Sequence, residues 1–489
     1  ATVRSATGAF YTPPPLVHRL LDQVQLAGVD WQCHSVLDPS CGSGAFLVPT
    51  ALRMLPLVNK SDPKRAIQLL ARRLRGWELD PFSAWMAQVL LEINLLPLCA
   101  CASSRLPPCI TVTDSLKPPS ALSLERFDLV IGNPPYGRVT LEPATRSRFA
   151  RSLHGHANLY GLFFDLALQQ LAHNGVLGYV TPTSYLSGQY FKALRSLLLQ
   201  DTFPFSFDFI DSRKNVFDQV LQETMLSVYK AAPQHTASAQ EGQPATRPLT
   251  AIHRLITKNS TLQSVSVGTS DIASQKGPWL IARSAAGLPL TRAAAQMPTR
   301  LRHLGIQVAT GPLVWNRHKP QLRTQPEPNS YPLIWADSVC AHGLVFDDSR
   351  QPASHILIQN QNHLITKKTC ILLRRTTATE QARRLVCTVL PQPLIDRHGG
   401  VVVENHLNML CASSTESSDT APFGALSAIL NSVVLDQLFR CLSGSVAISA
   451  YELESLPMPS LAQVLLVENL LQSNPTPEQI DALVASFYA

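Results

Sequence analysis

Asn133-Pro134-Pro135-Tyr136 is the stretch whose residue types and order are best suited to chemistry. Asn133 carries a neutral amide that both donates and accepts hydrogen bonds, and the prolines stiffen the backbone so that nearby carbonyls point one way. Tyr136 offers a flat aromatic face. A planar ring stacked on this tyrosine would bring its exocyclic amino group to the amide oxygen of Asn133 and the nearby backbone carbonyls. The pattern therefore favours methylation of an amino nitrogen on a flat, conjugated substrate.

The tetrapeptide must be positioned by the element before it, Phe127–Ile131, an apolar run that predicts a buried strand ending in a loop. Active sites of open α/β sheets collect at the carboxyl ends of strands. Further strands are predicted at 35–38, 74–78, 110–114, 175–181, 207–211 and 224–229, with helices at 45–55, 81–95 and 159–173. Repeated β-α units of this length predict an α/β fold, a doubly wound, mostly parallel sheet with helices on both faces.

A glycine loop follows the first predicted strand as Asp38-Pro39-Ser40-Cys41-Gly42-Ser43-Gly44. Glycines at this position allow a tight turn and a close approach of the backbone to a ligand. The loop lacks the Lys-Ser/Thr end of a phosphate-binding P-loop and the full spacing of a dinucleotide-binding loop. By itself it is equally compatible with an ordinary β–α turn.

Acidic residues stand at the ends of successive predicted strands, where a ligand would meet them. Glu78 is placed to accept hydrogen bonds from ribose hydroxyls, and Asp114 from an adenine amino group. Asp38 can balance a cationic ligand. Each acid alone would more often be a cap or loop residue. Together they predict a site for a nucleoside that carries a sulfonium and an amino acid.

The composition predicts two domains, because a chain of 489 residues with 45% hydrophobic and 15% charged residues can bury two ordinary cores. The predicted divisions are a catalytic domain at 1–230, a linker at 231–250, a mixed α/β domain at 251–460 and a helical extension at 461–489. Pro475 is expected to start the final helix.

Charge is unevenly distributed along the chain. Residues 247–397 carry 19 Lys and Arg against 7 Asp and Glu, a net +12, whereas one Arg and nine acids follow from residue 398 onward. A basic block of this size favours a polyanion partner, although a solvated charged face would look the same. The candidate phosphate contacts are Arg317, His318, Lys319, Lys367, Lys368, Arg374, Arg375, Arg383 and Arg384.

No metal site, secretion signal or membrane span is expected. Cys99, Cys101 and Cys109 form the densest cysteine cluster, without the paired spacing or added histidines of a zinc site. The apolar stretch 84–98 is interrupted by Glu92, Asn94 and Pro97. These features predict a soluble protein of a reducing cytoplasm.

The order of the motifs resembles that of the gamma-type N6-adenine DNA methyltransferases of type II restriction–modification systems, in which the N-terminal motif comes first. The motifs in chain order are Thr7 to Pro14, Asp38 to Gly44, Glu78, Asp114, Asn133 to Tyr136, Asn158 to Phe163, and Val216-Phe217. The match spans about residues 5 to 230, and residues 443–459 resemble the segment that closes many target-recognition domains.

The resemblance implies a role for each matched residue. S-adenosylmethionine would be lined, from its methionine part to its adenine, by Thr12, Asp38, Ser40, Gly42, Gly44, Glu78, Leu79, Asp114, Pro135 and Phe163. The catalytic set would be Asn133, Pro134, Tyr136 and Phe217, with Phe217 stacking on the target base opposite Tyr136. Ser115 departs from relatives that carry an apolar ring-packing residue at that position.

The resemblance thus implies a class I S-adenosylmethionine-dependent methyltransferase domain at 1–230 and a DNA target-recognition domain at 251–460, acting as a monomer on double-stranded DNA. A restriction endonuclease acting on the same site is a candidate partner, and no membrane partner is expected. Two alternatives use the same tetrapeptide: a glutamine-amide N-methyltransferase acting on a protein, and an RNA N6-adenine methyltransferase. A catalytically silent DNA-binding module is a third, which the complete motif set disfavours.

Overall fold

The computed structural model describes residues 12–58, 61–211, 223–232, 248–258, 261–345, 353–377, 381–413 and 420–489. The chain divides into two compact units. Unit 1 comprises residues 1–277 with 283–285, and unit 2 comprises residues 278–282 with 286–489.

Unit 1 is built on a long sheet with helices packed against it. Its strands are β1 Val36–Asp38, β2 Leu74–Glu78, β3 Ile110–Val112, β4 Phe127–Gly132, β5 Arg138–Val139, β6 Ala157–Asn158, β7 Leu171–Pro182, β8 Thr202–Ile210, β9 Thr224–Ala231, β10 Thr250–Lys258 and β11 Thr261–Ser270. Its helices are α1 Pro14–Leu26, α2 Leu47–Met54, α3 Pro63–Arg73, α4 Pro81–Asn94, α5 Leu96–Ala102, α6 Ser120–Ser123, α7 Pro143–Arg148, α8 Leu159–Gln170 and α9 Lys192–Asp201.

The large sheet has the strand order β11-β10-β8-β9-β7-β4-β1-β2-β3. Strands β1, β2, β3, β4 and β7 run parallel to one another, whereas β9 is antiparallel to both of its neighbours. The chain order reverses at β1, which has β2 on one side and β4 on the other. Such a reversal opens a crevice at the carboxyl ends of the two strands, where α/β folds bind their ligands.

Apolar residues explain why these strands lie at the centre. Strand β1 is buried along its whole length, and β4 is buried except at Asp128. Helix α1 packs closely on the sheet, since a Cβ atom added at Gly178 would come within 2.7 Å of a Val24 methyl carbon. Leu20 and Val24 of this helix belong to the same hydrophobic core as Val36 of β1 and Leu129 of β4.

The doubly wound fold predicted from the sequence is confirmed, and each predicted strand of the first half corresponds to an observed one. The predicted domain boundary near residue 230 does not coincide with the boundary between the two compact units. Strand β10 pairs in parallel with β8, and β11 pairs with β10, so the large sheet continues to Ser270. Most of the predicted linker, residues 233–247, lies outside the described residues.

Unit 2 is mixed α/β, as predicted. Its strands are β12 Ile306–Thr310, β13 Leu322–Arg323, β14 Ser330–Ile334, β15 Val339–Cys340, β16 Gly343–Leu344, β17 His355–Leu357, β18 Ile365–Thr366, β19 Ile371–Arg374, β20 Cys387–Val389, β21 Val401–Val403 and β22 Leu407–Ala412. Its helices are α10 Leu288–Gln296, α11 Gln392–His398, α12 Phe423–Leu430, α13 Val433–Leu442, α14 Ala450–Ser455, α15 Leu461–Leu471 and α16 Pro477–Ser486.

These strands form a four-stranded sheet in the order β12-β22-β19-β20 and a five-stranded sheet in the order β13-β17-β14-β21-β18. The last helices complete the core of the unit, since Val464, Val467 and Val484 are fully buried in its main hydrophobic cluster. Residues 461–489 are therefore part of unit 2 and not an extension of it. The final helix begins at Pro477, with Thr476 as its N-cap, and not at Pro475.

Within the described part of the chain, no single helix is long and apolar enough to cross a membrane; two bent helix pairs satisfy that test only when each pair is taken together.

Candidate active site

The glycine loop after β1 is folded around the carboxylate of Asp38. The backbone N–H of Ser40 donates to Asp38 Oδ1 at 3.1 Å. Gly42 and Gly44 adopt φ values of +53° and +88°, a left-handed region that favours glycine. A Cβ atom added at Gly42 would meet no atom within 4 Å, so the loop faces open space there. The loop thus leaves room for a ligand above the end of β1.

Glu78 fixes this loop from the end of the neighbouring strand β2. Its Oε2 atom accepts a hydrogen bond from the backbone N–H of Gly42 at 2.8 Å, and its Oε1 atom accepts from Asp80 at 2.9 Å. Ser115, which follows β3, is buried and donates to the Pro39 carbonyl at 2.5 Å. The loops after β1, β2 and β3 are therefore joined at one edge of the sheet, where the sequence predicted the cofactor acids to meet.

Asp38 is 1% exposed, and burial raises the pKa of its carboxyl to about 8, an effect to which the nearby charge of Glu78 adds. A buried carboxylate without a cation is costly, and a positively charged ligand would stabilise its ionised form. The buried Ser40 Oγ also has no hydrogen-bond partner among the described residues. A cationic ligand with further polar groups, such as S-adenosylmethionine, fits both observations.

The end of β4 approaches Asp38 so closely that only glycine is accommodated. A Cβ atom added at Gly132 would lie 2.6 Å from Asp38 Oδ1. Gly132 immediately precedes Asn133, so the tetrapeptide starts beside the buried carboxylate. The tertiary structure thereby places the predicted methyl-acceptor site next to the predicted cofactor site.

Asn133 is held by two hydrogen bonds that fix the orientation of its side-chain amide. Its Nδ2 atom donates to Thr12 Oγ1 at 2.9 Å, and its Oδ1 atom accepts from the Tyr136 hydroxyl at 2.6 Å. The donation to Thr12 identifies Nδ2 as the donor end of the amide and Oδ1 as its acceptor end. The tyrosine hydroxyl also lies 3.2 Å from the Val180 carbonyl of β7. Sequence reasoning predicted the amide oxygen as an acceptor but missed its contact with Tyr136.

Aromatic side chains support Tyr136, and three of them were not predicted. Tyr136 packs edge-to-face on Tyr160 with ring centroids 6.1 Å apart, and Tyr160 stacks on Phe191 at 5.1 Å. The Tyr160 hydroxyl lies 2.7 Å from Ser184 Oγ. Tyr185 also contacts the Tyr160 ring, at 6.4 Å. Tyr160 lies inside the Asn158–Phe163 motif, which was the sequence signal for it.

Thr181 is a buried polar residue near the carboxyl end of β7 that the sequence analysis did not single out. In the pairing of β4 with β7, Gly132 lies opposite Tyr179, so Thr181 lies two residues further toward the carboxyl end. Thr181 is fully buried, and its Oγ1 has no hydrogen-bond partner among the described residues. Nothing in the local sequence distinguishes it from an ordinary strand threonine.

The remaining predicted cofactor residues lie on separate elements of unit 1. Asp114 is partly exposed, and its Oδ1 atom accepts from the backbone N–H of Leu116 at 3.0 Å. Leu79 is 68% exposed, whereas Phe163 on α8 is 6% exposed. Pro135 is partly exposed and Pro134 is buried. Phe217 lies outside the described residues.

Several of the predicted DNA contacts in unit 2 instead hold the fold together. Arg384 is fully buried, and its side chain donates to Thr377 Oγ1 at 3.0 Å and to the carbonyls of Ser443 and Ser445. Its prediction as a DNA contact is therefore wrong. Arg374, Arg375 and Arg383 each donate to a backbone carbonyl distant in sequence, at Val339, Asn405 and Asn431 respectively. Arg317, Lys319, Lys367 and Lys368 are exposed.

Known proteins similar to this chain include restriction–modification methylases. Residues 112–217, which include the tetrapeptide, match the family model of the Eco57I restriction-modification methylases. The chain is 27% identical over 352 residues to the type II methyltransferase M.PstI of Providencia stuartii, an alignment that covers 70% of this chain and 67% of that protein. It is 25% identical over 349 residues to the type II methyltransferase M.BsuBI of Bacillus subtilis, covering 69% and 66%.

Residues 112–217 are thus similar to a restriction–modification methylase domain. The resemblance drawn from its motifs is thereby confirmed at the level of type II restriction–modification methyltransferases, and S-adenosylmethionine is the methyl donor of this class. The gamma subtype stays a prediction. The chain spans about two thirds of the length of the two relatives.

A solved structure, that of the type IIL restriction-modification enzyme MmeI in complex with DNA, shares the fold. It superposes with a TM-score of 0.60 at 14% identity, covering 97% of this chain and 74% of that one.

Proposed function

We propose that the chain is a site-specific DNA methyltransferase that transfers the methyl group of S-adenosylmethionine to N6 of an adenine flipped out of duplex DNA. Modification of a host's own sites in a restriction–modification system is the biological role that fits the family. The observation that supports the proposal most is the meeting of two groups beside Gly132: the buried carboxylate of Asp38 and the oriented amide of Asn133.

The adenine amino nitrogen is a weak nucleophile because its lone pair is delocalised into the ring. Hydrogen bonds from its two N–H groups to Asn133 Oδ1 and the Pro134 carbonyl would favour a pyramidal nitrogen and localise that lone pair. Thr12 keeps the Asn133 amide in the orientation that presents the oxygen. The catalytic contribution is thus positioning and electrostatics, and the proton leaves after transfer without a strong base.

The cofactor supplies an electrophilic methyl group on a sulfonium. In the proposed binding mode Asp38 and Ser40 receive its amino-acid end, Glu78 its ribose and Asp114 its adenine amino group. Thr12 would contact the methionine part, and Gly42 and Gly44 would allow close approach of the backbone. Leu79, Pro135 and Phe163 would enclose the adenine ring.

A base inside a duplex cannot reach this site, so the target adenine must be flipped out at a cost of a few kcal/mol, roughly, in lost pairing and stacking. Stacking of the flipped base on Tyr136 and Phe217 would offset about 1–3 kcal/mol of this cost per contact. The Tyr136 ring is braced for this role by Tyr160.

Double-stranded DNA is the proposed partner, with unit 2 as the target-recognition domain. A restriction endonuclease that cleaves the same site is a proposed second partner in the cell, and the methyltransferase is proposed to act as a monomer.

The decisive experiment is methyl transfer from labelled S-adenosylmethionine to unmethylated bacterial DNA, followed by nucleoside analysis and long-read mapping. We expect N6-methyladenine at one short recurring sequence. Label at cytosine would overturn the adenine assignment. Label on RNA or on a protein amide, with none on DNA, would overturn the proposed substrate.

A further inference from the structure

Two exposed turns of unit 2 leave the same end of one antiparallel strand pair. Strand β13 pairs with β17 so that Leu322 lies opposite Ile356 and Arg323 opposite His355. The residues just before β13 and just after β17 therefore emerge side by side. The segments that lead into β13 and out of β17 include the turns 315–319 and 359–363, which we call together the amide–basic edge.

A chain of hydrogen bonds connects the two turns. His318 Nδ1 lies 2.6 Å from Gln321 Oε1, and Gln321 Nε2 donates to Gln361 Oε1 at 3.1 Å. Because an amide oxygen only accepts, the His318 proton in this pair must be on Nδ1. This network fixes how residues 318 and 361 lie relative to each other.

The turn 315–319 carries exposed positive charge next to an aromatic side chain. Lys319 Nζ lies 5.5 Å from the centre of the Trp315 ring, and Trp315 packs against Trp335 with ring centroids 5.9 Å apart. Trp335 is 8% exposed and belongs to the local hydrophobic cluster, so the turn rests on the core. Arg317, in the same turn, is also exposed. Such cations suit contacts to phosphates.

The second turn is a run of amides, Gln359-Asn360-Gln361-Asn362, followed by His363. Gln359, Asn360 and Asn362 are exposed, and their side chains form no hydrogen bond within the described part of the chain. Asn and Gln amides match the donor and acceptor atoms that adenine presents in the major groove. Amides beside cations are therefore a suitable combination for reading base edges while holding the backbone.

We propose that the amide–basic edge reads the DNA target, with Arg317 and Lys319 binding phosphates and the amides of turn 359–363 contacting base edges. This inference rests on the proposed function and specifies which surface of unit 2 carries the specificity. The buried or carbonyl-bonded arginines Arg374, Arg375, Arg383 and Arg384 are assigned no DNA contact.

The phosphate part is tested with the double variant Arg317→Ala/Lys319→Ala, in binding titrations of duplex DNA at several salt concentrations. We expect affinity to fall for all sequences, and the slope of log affinity against log salt to become shallower by about 0.9 for each phosphate that the variant no longer neutralises. The matched control is Arg292→Ala/Arg302→Ala, which removes two exposed cations of unit 2 from α10 and the turn before β12. An equal change of slope in both variants would overturn the assignment.

The base-reading part is tested with Gln359→Ala/Asn362→Ala against Gln296→Ala/Gln472→Ala, a control that also removes two exposed amides of unit 2. Long-read mapping should show that methylation of sites differing from the target at one base pair rises about 5- to 150-fold relative to methylation of the true target. The control variant should methylate the same DNA sequence as the wild-type enzyme. An unchanged site in the edge variant, with wild-type enzyme active on DNA, overturns this inference alone. Inactivity of the wild-type enzyme on DNA would instead overturn the proposed function.

Discussion

At the scale of single residues, the proposed chemistry depends on how Asn133 is oriented. An amide side chain can be turned either way, and only its oxygen can accept from an amino group. Thr12 holds the Nδ2 end, and Tyr136 shares the Oδ1 end. The tyrosine is therefore both a candidate stacking surface and a hydrogen-bond partner of the proposed catalytic amide.

Replacing Asn133 separates catalysis from cofactor binding. We expect Asn133→Ala to lower methyl transfer by at least about 100-fold, because an oriented acceptor in the transition state is removed. Cofactor affinity should stay within about threefold of wild type, since Asp38 and Glu78 remain in place. Single-turnover transfer and calorimetric cofactor titration measure the two quantities. Asn94→Ala, on α4, is the control, and equal losses of transfer and affinity in Asn133→Ala would contradict the assigned role.

Asp38 should make cofactor binding depend on pH. Its pKa rises from 3.8 to about 8 on folding, so the folded chain retains a proton that the unfolded chain releases, and this group's contribution to stability falls as the pH rises between those values. A cationic ligand favours the carboxylate, so binding at pH 7 should release close to one proton more than in Asp38→Asn, roughly. Calorimetric titrations in buffers of different ionisation enthalpy measure this difference. Identical proton release in both proteins would show that Asp38 does not meet the cation.

At the scale of elements, the outer strands of the large sheet are tied to helix α1 through one buried carboxylate. Asp208 of β8 is 1% exposed and accepts from Arg19 Nε of α1 at 2.6 Å. Its other oxygen lies 2.9 Å from His253 Nδ1 of β10. These three elements are far apart in sequence, and this cluster joins the part of the sheet beyond the predicted domain boundary to the rest of unit 1.

Breaking this cluster should cost far more than breaking a surface ion pair. Arg19→Ala leaves the buried Asp208 carboxylate without its strongest partner, which typically costs about 3–5 kcal/mol. Arg254→Ala removes the partly exposed pair with Asp211, whose side chains are 37% and 44% exposed, and should cost less than about 1 kcal/mol. Urea denaturation of the two variants gives both free energies. Similar losses in both would show that Asp208 finds another partner.

At the scale of the whole molecule, each compact unit has its own hydrophobic cores. The proposed cofactor residues Asp38 and Glu78 belong to unit 1, and the amide–basic edge belongs to unit 2. The two proposed tasks, methyl transfer and target reading, are therefore assigned to separate compact units of the chain.

Calorimetric melting should reveal this separation. Because a ligand stabilises only the unit that binds it, S-adenosylmethionine at about 100 times its Kd should add roughly 2.7 kcal/mol to unit 1 and raise one of two transitions. The second transition should not move. Asp38→Asn is the control, in which the shift should be reduced. A single transition that moves as a whole would mean that the units unfold together.

The sequence alone predicted the class of methyltransferase and the central strands. Motif order, the buried runs of β1 and β4 and the residues that follow them depend on local residue types, and these can be read from neighbours in the chain. The comparisons confirm the class that those motifs implied.

Only the tertiary structure decided which distant residues meet. The pairing of β10 with β8 extends unit 1 beyond residue 230, and Arg384 is buried although its charge suggested a DNA contact. The hydroxyl of Thr12 meets the side-chain amide of Asn133 across 121 positions of the chain. Each outcome depends on packing between segments remote in sequence. Residue type and local pattern carry no information on that packing, since the same arginine or strand pattern suits either a surface or a core.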